Sequence, residues 1–188
     1  MGMRSQIYVR VGNELVARYY QWNYGERMVS RARYLVEWLD TGKEYIEYNK
    51  DKIYRIADTN FDMIDVVVST DIIEEYKDWP SEEYEFNEYV FGCPGGNNDG
   101  KLYVYVTEDE VKYAFTDDED SPKSAGEYLK WDSWNKTVKE AIESLNKDAQ
   151  KYTKDNMDFL KKYKRLTKEE IKELFLENTF DNDPTKPF

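Results

Sequence analysis

Residues 4–22 read RSQIYVRVGNELVARYYQW, and this stretch decides the fold class. From Arg4 to Val11 the chain alternates, with Ser5, Ile7, Val9 and Val11 on one face. Gly12-Asn13 is turn material, and Glu14 to Trp22 is a second strand-like run. Two β-rich runs around a Gly-Asn pair predict a hairpin. Gly25 then opens a helix, with Met28, Val29, Ala32, Leu35, Val36 and Leu39 at helical spacing and Gly42 as its stop. The opening is therefore β-β-α.

The same periodicities carry outward. Ile53–Ile56 reads as a short strand or helical turn, and Asp65–Ser69 holds the β-branched run Val66-Val67-Val68 of a buried strand. A short helix is predicted over Ile72–Tyr76, ended at Trp79-Pro80. Aromatics alternate from Tyr84 to Phe91 before a long turn, Cys93 to Gly100. Leu102–Val106 and Val111–Phe115 are two more strands around the acidic turn Glu108-Asp109-Glu110, as in an antiparallel meander. Thr116–Ser121 reads as a loop. From Ser133 the pattern is helical to about Tyr163, and Thr167 with Glu170 forms a capping box for a last helix carrying Ile171, Leu174 and Phe175. The expected class is α+β: an antiparallel sheet with a helix packed on it, then a helical C-terminal part. A soft boundary near residue 132 separates an α+β part, 1–132, from a helical region, 133–188, which can equally form one domain.

Composition excludes much chemistry. The 188 residues hold no histidine and one cysteine, Cys93. Ser-His-Asp, Cys-His and HExxH sites are ruled out, as are an intramolecular disulfide and a zinc site built of thiolates and imidazoles. No apolar run reaches the roughly 18 residues of a membrane span, and no signal-peptide stretch opens the chain. A reducing cytoplasm is the expected location, and no membrane partner is expected.

The net charge is −12, unevenly placed. Residues 1–39 carry +3, residues 40–132 carry −16, and residues 133–188 carry +1. Such a surface repels phosphate, so non-specific nucleic-acid binding is not expected. A carboxylate-and-tyrosine surface can instead occupy a basic groove that ordinarily holds nucleic acid, although solubility alone also explains surplus charge. The acids assigned to such a surface are Asp71, Glu74, Glu75, Glu82, Glu83, Glu85, Glu108, Asp109, Glu110, Asp117 and Asp118.

Weaker constellations compete with ordinary structural uses. Arg4, Ser5, Gln21, Asn23, Tyr24 and Arg27 fall near the hairpin end and the helix start, where they could hold an anion, or where Asn23 simply caps the helix. Asn60, Asp62 and Asp65 could hold Mg²⁺, the one cofactor to consider, and only if the protein is an enzyme. Turn and cap use explains them better. Gly95–Gly100 lacks the GxxxxGK[ST] pattern of a phosphate loop and suits a turn with positive φ. Lys161, Lys162, Lys164 and Arg165 form a basic knot within a helical stretch whose charges are otherwise matched by acids.

The opening Met1-Gly2-Met3-Arg4-Ser5-Gln6-Ile7 and the block Tyr20-Gln21-Trp22-Asn23-Tyr24-Gly25-Glu26-Arg27 resemble an N-terminal domain of small proteins from phages, plasmids and conjugative elements of Gram-positive bacteria. Those proteins begin MGxRS and continue with a Y-x-Q/H-W/F-D/N-G/Y block. The resemblance extends through Asn60-Phe61-Asp62-Met63 and Asn97–Leu102, so it covers about residues 1–132. A similar domain occurs on some inhibitors of the type II CRISPR nuclease Cas9, some of them associated with loss or truncation of the guide RNA. The resemblance implies an anti-defence protein, with Cas9 and its guide RNA as partner and Arg4, Ser5, Gln21, Asn23 and Arg27 as a candidate site. No catalytic assignment comes with it. The C-terminal helices lie outside it and would choose the target. Inhibition by binding, a nuclease-like activity on guide RNA, and an interaction module unrelated to CRISPR all remain compatible with the sequence.

Overall fold

The computed structural model describes residues 4–11, 14–21, 24–42, 99–117 and 119–177. Strands β1 (Arg4–Val11) and β2 (Glu14–Gln21) form the expected antiparallel hairpin, in register from Arg4↔Gln21 to Val11↔Glu14. Helix α1 (Glu26–Gly42) follows and ends at the predicted glycine. Strands β3 (Lys101–Val106) and β4 (Val111–Thr116) form the second expected hairpin. The predicted segments between residues 43 and 98 lie outside the described residues.

The class is α+β, but the sheet is mixed rather than antiparallel throughout. β1 pairs with β3 in parallel, from Gln6↔Lys101 to Val11↔Val106. Adjacent hairpins of a meander would meet antiparallel; here α1 and the chain after it intervene, and a connection of that length can return the chain in the same direction. The strand order is β2-β1-β3-β4-β5, where β5 is Pro122–Lys123. A two-residue strand, β6 (Lys164–Arg165), also joins β4 in parallel.

The helical part starts earlier than the spacing predicts, and it is broken. Helix α2 (Ala125–Asp132) lies between the expected Thr116–Ser121 loop and the expected boundary near residue 132, where no element was predicted, and it starts there because Ser124 and Glu127 form a reciprocal capping box. It stops at Ser133, and Trp134 takes the left-handed backbone (φ 57°). Helices α3 (Val138–Glu143) and α4 (Lys147–Leu160) replace the single helix expected from Ser133 to Tyr163. Asn146 accepts the Ala149 N–H and so starts α4 anew. The Thr167–Glu170 capping box is present and starts α5 (Lys168–Ile171), which continues as a π-helical turn, Lys172–Glu177.

One hydrophobic cluster joins these parts. Ile7 and Val9 of β1, Leu102, Val104 and Val106 of β3, and Val111, Tyr113 and Phe115 of β4 point to the helix side of the sheet. All six predicted apolar positions of α1 are buried there. Each of these side chains larger than Ala32 contributes about 1.5–3 kcal/mol on burial. Tyr128 of α2 stacks on Phe115, centroids 4.6 Å apart, and Ala141, Ile142, Met157 and Leu160 bring α3 and α4 into the same cluster.

The opposite face is polar and aromatic. Tyr8 and Tyr103 stack at 4.8 Å, and Phe175 of the π-helical turn packs on Tyr103 at 5.0 Å. Tyr8 donates to Gln6 Oε1 (2.7 Å), and Tyr103 donates to Asp120 Oδ1 (2.9 Å). Lys101 Nζ lies 3.0 Å from the same Asp120 oxygen. Burial first, and the nearby Asp120 second, push the Tyr8 phenol far above its ordinary range.

Candidate functional site

The end of the sheet where β1 and β3 begin gathers most of the predicted polar cluster. Arg4 and Gln21 are register partners there, and α1 starts beside them. Arg27, on the first turn of α1, packs its guanidinium over the Tyr24 ring at 5.4 Å. Ser5 is wholly buried on β1. Asn23, Asp62 and the proposed cap and Mg²⁺ readings lie outside the described residues. Among the described residues, no group of three or more Cys, Asp or Glu is placed to hold a metal ion, and no helix is long and apolar enough to cross a membrane.

The fold adds two residues to this end that the sequence reading did not single out. Asp99 precedes β3 and Asp132 closes α2, so 33 positions of sequence separate them. Asp99 is nearly buried, and its backbone carbonyl accepts the Tyr128 hydroxyl at 2.8 Å. The Asp132 carboxyl is hydrogen-bonded to that of Asp99 and accepts the N–H of Gly25 at the start of α1. Burial first, then the negative Asp99, push Asp132 up to about 7. Gly25 has φ 54°, and a Cβ there would lie 3.2 Å from the Asp132 carboxyl. Gly100, the positive-φ residue predicted in the turn before β3, has φ 84°; its missing Cβ would lie 2.4 Å from the Thr116 carbonyl. The doublet Trp131-Asp132 after an apolar helical run was the available signal, but nothing in the sequence points it at Asp99.

The acidic surface is only partly in view. Asp71, Glu74, Glu75, Glu82, Glu83, Glu85 and Asp118 lie outside the described residues. Glu108 and Asp109 are exposed at the β3–β4 turn. Glu110 is engaged internally, 2.7 Å from Lys164 and 3.1 Å from Lys112, which hold its carboxyl below the usual range. Lys112 also meets Glu170 at 2.8 Å. Burial alone would raise Asp117, but Lys123 and the N–H groups of Ser121 and Glu119 outweigh it and hold the carboxyl low. Asp117 is thus a loop-organising acid.

The basic knot is consumed in the same way. Lys161 pairs with Asp158 at 2.6 Å, Lys162 lies over Phe159 at 5.0 Å, and Arg165 meets Glu127 at 2.7 Å. Of the tyrosines of the described acidic stretch, Tyr103, Tyr113 and Tyr128 are buried and Tyr105 is half-buried. Among the described residues, Trp38 of α1 (42 %) and Trp134 (94 %) are the exposed large apolar side chains, Trp134 in a turn closed by Asn135 N–H to the Lys130 carbonyl (3.2 Å).

No known protein-family model, curated protein or solved structure matches the chain.

Proposed function

We propose that the protein is an anti-defence factor of a phage or mobile element, acting in the host cytoplasm, which inhibits Cas9 by binding the nuclease or its guide-RNA complex. The observation that carries this reading is the charge distribution, −16 over residues 40–132 between flanks of +3 and +1. The N-terminal motif supplies the target class by resemblance. Carboxylates would stand where a basic channel expects phosphates, led by Glu108 and Asp109 at the β3–β4 turn and by the acids of residues 71–85. Glu110 and Asp117 take part indirectly, by holding that turn and the following loop in shape. Recognition of this kind is steered by long-range charge and weakens with salt.

The test is a mixture of the protein with Cas9 and guide RNA, run on a sizing column and on a denaturing RNA gel. Co-elution with intact RNA, lost between low and high salt, is the expected result. Affinity that ignores salt would overturn the mimicry. A second reading, turnover of guide RNA, draws on the Asp99–Asp132 pair, since a carboxyl poised near neutrality suits proton transfer. Shortened RNA at substoichiometric protein would select it.

A further inference from the structure

We propose that Trp134, with Lys130 and Lys136, forms a stacking site for single-stranded nucleic acid, the indole taking a base and the two ammonium groups the adjoining phosphates. The inference goes beyond the Cas9-binding reading: it concerns different residues and needs no partner protein.

The turn after α2 sets the position of the indole. The Asn135 N–H reaches back to the Lys130 carbonyl at 3.2 Å, and the Trp134 N–H to the Trp131 carbonyl at 3.2 Å. This pair of bonds closes a helix end on one left-handed residue, a place that usually holds glycine. Here it holds Trp134, with φ 57°. The backbone disfavours that choice, because in the left-handed region a Cβ crowds the following carbonyl oxygen. Packing does not offset the strain, since the indole is 94 % exposed. Its neighbour Trp131 instead packs inward against Tyr128 and the core. The Ser133 hydroxyl on the Leu129 carbonyl (2.5 Å) and the Asn135 amide on the Ser133 carbonyl (3.0 Å) brace the turn. A side chain that strains the backbone and buries nothing is explained by what it presents to solvent.

Charge selects the occupant. Lys130 and Lys136 are exposed, and among the described residues neither makes an ion pair. The bond from Asn135 draws Lys130 to the base of the turn. Lys136 follows Trp134 by two residues, at most about 7.6 Å between α-carbons. Both flexible four-carbon stems can therefore reach phosphates beside a base lying on the indole. The nearby acids are withdrawn or occupied: Asp132 is half-buried, Glu140 accepts the Thr137 hydroxyl at 2.8 Å, and Glu143 lies 3.7 Å from Lys139. The acid excess of the chain falls in residues 40–132, and residues 133–188 carry +1. An aromatic face beside free cations fits a single strand, whose bases are open to stacking, whereas a duplex hides them. Every base offers such a face, so no sequence preference is expected.

The test adds a short single-stranded oligouridylate to the intact protein and follows tryptophan fluorescence, with a blunt RNA duplex and an oligoglutamate peptide for comparison. The single strand is expected to quench the signal, and the other two to leave it unchanged. Affinities of variants are read from the anisotropy of a dye-labelled strand. Trp134→Gly suits the left-handed backbone and removes the indole, so its loss of binding is not a loss of folding; a weakening of about 5- to 150-fold is expected. Lys130→Ala and Lys136→Ala should each weaken binding by about two- to fivefold. Absence of quenching, equal quenching by the duplex, or unchanged affinity in Trp134→Gly would overturn the site. Binding of the oligoglutamate in place of the strand would also overturn it, and would assign the surface to an acidic protein segment.

Discussion

The two faces of the sheet are built from the same strands by opposite chemistry. On the helix side, Ile7, Val9, Leu102, Val104 and Val106 meet α1 through aliphatic contact. On the other side, Gln6, Tyr8, Tyr103 and Thr116 bury an amide and hydroxyls, Lys101 and Asp120 half-bury an ammonium and a carboxylate, and these groups are satisfied by one another. The first face tolerates any well-packed apolar set of similar volume. The second demands particular partners, because a buried polar group that loses its partner keeps its desolvation cost. Identical alternation along β1 and β3 thus yields one face defined by shape and one defined by pairing.

Substitutions on the two faces break this contrast at different strengths. Leu102→Ala empties a fully buried site on the helix side and should cost about 2–5 kcal/mol in chemical denaturation. Asp120→Ala strands Lys101 and the Tyr103 hydroxyl on the other face, and a loss of about 2–3 kcal/mol is expected. Were Asp120→Ala neutral, the second face would be packed by shape after all. Tyr103→Phe keeps the ring stack with Tyr8 and removes only the bond to Asp120, so about 1 kcal/mol should go, with coupling to Asp120→Ala in a double-mutant cycle. Smallest is Lys112→Met, at the half-exposed Glu110–Lys112–Glu170 cluster, worth about 0–1 kcal/mol and less in high salt. That cluster has a pH signature of its own. Glu110 and Glu170 are held below their ordinary 4.5 by their lysine bonds, so their contribution is present at neutral pH and is lost as the pH falls through their lowered values.

Local signals carried most of the elements into view. The pairing of β1 with β2, the α1 periodicity with its Gly42 stop, the β3–β4 hairpin and the Thr167–Glu170 box all depend on neighbours in sequence, and all appear in the structure. What escaped was non-local or cryptic. The parallel pairing of β1 with β3 depends on where a long connection returns, which alternation does not encode. Helix α2 was missed, although Glu127 three residues after Ser124 was a legible capping box. The Asp99–Asp132 pair needed both failures repaired, since one member precedes β3 and the other ends α2. Of the candidate site, Arg4 and Gln21 are juxtaposed as the hairpin register demanded. Glu110, Lys164 and Arg165 were legible as charges but not by their partners, because pairing across 38 to 58 positions leaves no trace in spacing.

The strand order has a consequence for biosynthesis. β1 leaves the ribosome early with β2 along one side, yet its other side waits for β3, whose first residue follows Val11 by 90 positions. At about 5–20 residues per second, that is a delay of roughly 5–20 s. Throughout it the nascent hairpin presents an open row of amides and carbonyls, the geometry that recruits other chains into aggregates. Slowing translation after residue 42 should therefore lower soluble yield, and slowing it after residue 106 should not.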